Sequence, residues 1–185
     1  MKHYTYTTEN FDYDIFTQVD DYAVNPWSYT YWYTGFINGK TYSYSNSDTI
    51  KTLADFRKNF NKLFGVKPHK SETIEDAAER KGFTLLPIWE SQSNSEYTFS
   101  AGKDNPYKDG TLVGYIWSNT YIEDQLIGYT KLLNSWLNHK LYMVRVINKK
   151  TGDRNYFDDE LLEEDNALET LLRYHFGYGI LKEIK

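Results

Sequence analysis

The stretch SYTYWYTGFINGKTYSYSN, Ser28 to Asn46, decides the fold class. Two β-prone runs, Ser28–Ile37 and Lys40–Asn46, meet at Asn38-Gly39, the pair favoured in a two-residue type I′ turn. That turn sets a register: Ile37 opposite Lys40, Phe36 opposite Thr41, Gly35 opposite Tyr42, and Tyr33 opposite Tyr44. One face of the hairpin then carries Tyr29, Tyr31, Tyr33, Tyr42 and Tyr44, while Trp32 and Phe36 lie on the other. Tyr42 is placed to cover the gap left by Gly35.

Outward from the hairpin, the periodicity changes several times. His3 to Thr8 alternates as a strand does. Phe11 to Val24 carries two patterns: Phe11, Ile15 and Val19 recur at helical spacing, whereas Asp12, Tyr13 and Asp14 alternate. The helical spacing predicts a short helix there, ended before Pro26. Thr52 with Asp55 three residues on reads as a helix start, Leu53, Phe56, Phe60, Leu63 and Phe64 as its apolar stripe, and Gly65 as its stop. A second helix is expected over Glu72–Lys81, ending at Gly82, and strands over Thr84–Glu90, Glu96–Ala101 and Thr111–Trp117.

Ile122, Leu126, Tyr129, Leu133 and Trp136 step by four, three, four and three, which draws one face of a helix over Tyr121–Leu137. Lys140–Asn148 is apolar on both faces, and Lys149-Lys150-Thr151-Gly152 turns it into a partner strand ending near Phe157. An acidic helical region follows to Phe176, broken near Asp165-Asn166, with a closing strand over Tyr178–Ile184. Hairpins joined by about four helices, without regular βαβ alternation, predict an α+β fold with mainly antiparallel sheet. The expectation is one domain over 1–185, with sub-lobes 1–82 and 83–185 as its internal division.

Composition narrows the chemistry. The chain has 185 residues, a formal charge of −5, no cysteine, and 18 Tyr, 10 Phe and 5 Trp. The absence of cysteine excludes disulfide scaffolds, thiolate metal sites and cysteine nucleophiles together. A net negative charge argues against a general nucleic-acid or anionic-membrane binder, which needs a positive footprint. The polar opening Met1-Lys2-His3-Tyr4-Thr5 and the lack of a long apolar run predict a cytoplasmic chain with no membrane partner.

No catalytic pattern emerges, and no cofactor is expected. His3, His69, His139 and His175 lie far apart, never at the i, i+4 spacing of a helical metal site. Asp153, Asn155 and Glu164 match positions one, three and twelve of a calcium loop, but Phe157 and Asp158 stand at five and six, where a ligand and a glycine are needed.

Three surfaces remain as binding candidates. Asp158, Asp159 and Glu160 read as helix-opening acids, and with Glu163, Glu164 and Asp165 they make a dense negative run, either a solvated face or a partner-binding patch. Arg57, Lys58 and Lys62 lie away from the Leu/Phe stripe of their helix, either as a solvated face or as an RNA contact. Tyr29, Tyr31, Tyr33, Tyr42 and Tyr44 are either core beneath a helix or an aromatic recognition face.

Leu85-Leu86-Pro87-Ile88-Trp89-Glu90 and Gly110-Thr111-Leu112-Val113-Gly114-Tyr115-Ile116-Trp117 precede the amphipathic helix and Leu141–Ile147. In this arrangement the chain resembles small accessory proteins of phages and mobile elements in low-GC Gram-positive bacteria, anti-restriction and anti-CRISPR proteins among them. The resemblance implies a non-enzymatic inhibitor whose partner is a host defence protein, a CRISPR effector or restriction enzyme. It carries over no catalytic residue. The alternative is an RNA-binding protein or metal-dependent nuclease acting on guide-like RNA.

Overall fold

The computed structural model describes residues 1–28, 33–39, 50–91, 96–160, 162 and 166–184, with Asp159 described in its backbone alone. In chain order its elements begin with β1 (Lys2–Thr8), β2 (Asp12–Val19), β3 (Thr34–Ile37), α1 (Leu53–Phe64) and α2 (Ile74–Glu79). Next come β4 (Thr84–Glu90), β5 (Phe99–Ala101), β6 (Thr111–Ser118) and α3 (Glu123–Leu137). The last are β7 (Tyr142–Asn148), β8 (Arg154–Glu160), α4 (Ala167–Phe176) and β9 (Gly179–Ile184). The described residues thus form an α+β fold of four α-helices and two antiparallel sheets, as the hairpin-and-helix pattern predicts. No helix among them is long and apolar enough to cross a membrane.

Two compact units result, one of Met1–Val24 with Ser135–Lys185, the other of Asn25–Asn134. The chain leaves the first unit after Val24 and returns to it at Ser135, rather than changing lobe at residue 82.

The first unit holds a five-stranded sheet in the order β8-β7-β2-β1-β9. Its N-terminal hairpin is β1–β2, closed through the Thr8–Phe11 turn, where the Thr8 N–H donates to the Phe11 carbonyl at 2.9 Å. The helix expected over Phe11–Val24 is therefore a strand. Phe11 and Val19 are 40% and 38% exposed, so the helix-spaced trio does not make one buried face. The alternating set Tyr13, Ile15 and Thr17 is buried instead, and β1 and β7 pair with both edges of β2. Ladder bonds on two sides, from the adjoining β1 and the remote β7, outweigh a local helical spacing. Tyr6, Tyr13, Ile15, Val144 and Val146 close on Leu172 of α4 to make this core.

The second unit has a four-stranded sheet, β3-β6-β4-β5. One face carries Phe36, Leu85, Tyr115 and Trp117 against Phe56, Phe60 and Phe64 of α1 and Ala77 and Ala78 of α2. α1 starts and stops as expected: Thr52 Oγ1 accepts from the Asp55 N–H at 3.0 Å, and Gly65 ends it at φ 65°. A cap of this kind contributes about 1 kcal/mol. On the opposite face Gly35 is needed for packing, because any Cβ there would meet the Trp27 ring at 2.9 Å. Trp27 is fully buried, and its indole N–H donates to the Tyr129 carbonyl of α3 at 3.1 Å.

The Asn38-Gly39 turn does not take the type I′ form. Gly39 has φ 68°, but Asn38 is not among the non-glycine residues with positive φ, which in the described residues are His139 and Asn166. The two residues instead join strand to helix. The Asn38 N–H donates to the Val113 carbonyl at 2.7 Å, Asn38 Oδ1 accepts from the Leu53 N–H at 3.3 Å, and the Gly39 N–H donates to the Lys51 carbonyl at 3.1 Å. Among the described residues the strand beside β3 is β6, with Phe36 opposite Tyr115. The run Lys40–Asn46, and with it the expected cross-strand pairs, lies outside the described residues.

Candidate functional site

Of the predicted aromatic face, Tyr33 is described, and it is 1% exposed. Its ring stacks on Tyr129 with centroids 4.3 Å apart, and its hydroxyl reaches the Pro26 carbonyl at 3.4 Å. Tyr33 is thus core, because β3 belongs to a sheet covered on both faces. Tyr29, Tyr31, Tyr42 and Tyr44 lie outside the described residues.

The predicted acidic patch is split in the same way. Asp158 is exposed on β8, Glu160 is half-buried at the end of that strand, and Glu163, Glu164 and Asp165 lie outside the described residues. Asp158-Asp159-Glu160 does not open a helix, since β8 continues through it with Glu160 opposite Tyr142. β8 is an edge strand of its sheet, and carboxylates along an edge discourage pairing with another chain.

Arg57, Lys58 and Lys62 are all exposed on α1, on the side away from Phe56, Phe60 and Phe64. Two other cations of this unit are engaged by acids. Arg80 Nε donates to Glu72 Oε1 at 2.9 Å, and Lys103 Nζ to Glu79 Oε2 at 3.3 Å. The Arg80 hydrogen bond, with a second from the His69 N–H, holds the Glu72 carboxyl down to about 2. Within the core, burial pushes the Tyr115 hydroxyl up to about 12, and the neighbouring Glu75 carboxylate adds to the shift.

A different aromatic cluster is exposed, in the first unit. The stripe of α4 buries Leu172 and packs Leu168, Leu171 and Phe176 beside it, which leaves Arg173 and Tyr174 facing outward. Gly177, at φ 85°, ends the helix and sends the chain into β9, and its carbonyl accepts from the Tyr6 hydroxyl at 2.6 Å. Tyr174 is 85% exposed and Tyr178 80% exposed. The Arg173 guanidinium lies 4.8 Å above the Tyr178 ring, while Tyr174 and His175 meet edge to face at 5.0 Å. Sequence reasoning missed this cluster. The available signal was Tyr174 standing off the Leu168/Leu171/Leu172/Phe176 stripe, next to a helix-ending glycine.

Among the described residues no group of three or more His, Asp or Glu side chains is placed to hold a metal ion. No family model matches the chain, and no curated protein or solved structure matches it significantly.

Proposed function

We propose that this chain is a binding protein of a phage or mobile element that inhibits a bacterial defence nuclease in the host cytoplasm, a CRISPR effector or restriction enzyme, by protein–protein contact. The observation that supports the reading best is the exposed pair Tyr174 and Tyr178 with Arg173 over one ring. Tyrosine and arginine are enriched at interface hot spots: tyrosine offers large contact area and a polar tip at low entropic cost, and arginine a planar fork of donors. The resemblance of Leu85–Glu90 and Gly110–Trp117 to anti-restriction and anti-CRISPR proteins points the same way.

The test is capture from a Gram-positive host lysate, read by mass spectrometry, with wild type and with Tyr174→Ala/Tyr178→Ala. Wild type is expected to recover a nuclease or guide complex. The double variant is expected to lose it by at least ~30-fold, at about 2 kcal/mol for one hot-spot residue. Its melting temperature stays close to wild type, since exposed side chains contribute little to folding. Equal recovery by both proteins, or no nuclease from either, ends the proposal.

A second reading, contact with single-stranded RNA, is favoured by the three cations on the outer face of α1. Reversing Arg57, Lys58 and Lys62 to glutamate is then expected to abolish a gel shift. The salt dependence of wild-type binding would owe about 2 units of log–log slope to these contacts, at about 0.7 per phosphate. No shift by wild type, and no cleavage with magnesium or manganese, dismisses this reading.

A further inference from the structure

The outer face of the five-stranded sheet carries a row of residues that crosses the strands. Ile184 on β9, His3 on β1, Phe16 on β2, Arg145 on β7 and Tyr156 on β8 are successive register partners. The His3 ring lies parallel to Phe16, with centroids 4.5 Å apart and planes within 7°. From the opposite flanking strand, the Arg145 guanidinium carbon sits 4.5 Å over the centre of the same ring. Phe16 therefore fixes the plane of Arg145, and His3 fixes Phe16.

Among the described residues Arg145 is paired with no carboxylate of its own sheet. Asp14, the acid diagonal to it on β2, is held by His3 Nε2 at 3.0 Å and Lys149 Nζ at 3.2 Å. Arg145 Nε is buried and has no hydrogen-bond partner among the described residues. A buried donor on a permanently charged group is stable chiefly when an anion reaches it. Beside it lies a half-open cleft of about 100 Å³, lined by Met1, Phe16, Gln18, Met143, Arg145 and Tyr156.

The lining selects the anion. A guanidinium edge matches a carboxylate with two parallel N–H···O bonds. A phosphate would present further oxygens to two thioethers and the Phe16 ring, with the Gln18 amide and the Tyr156 hydroxyl as the other polar side-chain groups of the wall. The volume suits a carboxylate on a stem of two or three carbons and is too small for a nucleotide. We propose that the cleft beside Arg145 binds a carboxylate carried on a short aliphatic stem, supplied either by a free small acid or by a glutamate side chain of a polypeptide. The inference does not depend on the proposed function, and its probes are small molecules, so the two fail separately.

The experiment follows the Nε–Hε resonance of Arg145 in arginine-labelled protein during titration with sodium butyrate, acetyl-glutamate amide, or inorganic phosphate. A saturable shift with either carboxylate is expected, with none from phosphate. Tighter binding of acetyl-glutamate amide assigns the site to a polypeptide side chain, and tighter binding of butyrate to a free acid. Arg145→Lys keeps the charge but loses the paired N–H edge; followed by the Tyr156 ring resonances, it is expected to bind at least about tenfold more weakly. Tyr156→Ala, at a side chain 54% exposed, removes one apolar wall and is expected to weaken binding several-fold while the fold stays intact. No saturable shift with either carboxylate, equal saturation by phosphate, or unchanged affinity in both variants overturns the proposal.

Discussion

Replacing Phe56 with alanine is expected to cost roughly 3–5 kcal/mol of stability, the range for deleting a fully buried ring. Phe56 is 0% exposed and lies at the centre of the ring cluster of the second unit. Its ring stacks on Tyr115 with centroids 4.5 Å apart and planes within 16°. It also meets Phe36 at 5.3 Å, Trp117 at 5.4 Å, Phe60 at 5.9 Å and Phe64 at 6.0 Å. Rigid aromatic neighbours collapse poorly into a void, so the cavity term stays near its full size. Urea unfolding followed by tryptophan fluorescence measures the loss through the shift in midpoint at constant slope. A loss below about 1.5 kcal/mol would mean that the cluster is not packed as described.

Gly114→Ala is expected to be as damaging for a different reason. Gly114 lies on β6 opposite Ile37 of β3 and Ile88 of β4. A Cβ there would overlap the backbone carbonyl of Phe36 and lie 3.1 Å from the Ile37 Cα. Backbone cannot swing aside as a flexible side chain can, so β3 would have to move away from β6. The expected cost is about 3 kcal/mol or more, at the upper end of what overpacking does. Circular dichroism melts of the purified variant, or its failure to express as soluble protein, would show it. A melting temperature within a degree of wild type would require a different pairing of β3 and β6.

The parts of the fold legible in the sequence are those whose signals are local. Thr52, Asp55 and Gly65 bound α1 because capping depends on residues within one turn. The three-four step from Leu126 through Tyr129 to Leu133 marks α3, whose Leu126 and Leu133 are fully buried. The helical spacing of Phe11, Ile15 and Val19 masked β2, whose two partners are the adjoining β1 and, more than 120 residues on, β7. Asp158-Asp159-Glu160 looked like a helix start for the same reason: the acids are local, and the ladder to β7 that makes them strand is not. The described partner of β3 is also remote, since Phe36 faces Tyr115, while the run Lys40–Asn46 lies outside the described residues. The site was less legible than the fold. Tyrosine content announces contact surface without saying which rings are covered, and burial of Tyr33 with exposure of Tyr174 and Tyr178 follows from the placement of whole sheets.

The β1–β9 pairing has a consequence for how the chain is made. His3 faces Ile184 and Thr8 faces Gly179, so strands from opposite ends of the sequence share a ladder. During synthesis, β1 and β2 leave the ribosome well before β7 and β9, as a two-stranded ribbon with both edges bare. At about 5–20 residues per second, roughly 8–30 s pass before β9 can cover one of them. Meanwhile residues 25–134, which make up the second compact unit, are already synthesised. Closure of this ladder, a pairing of high sequence separation, is expected to be slower than packing of the aromatic cluster around Phe56, and the early ribbon is expected to stay open to wrong pairing until then.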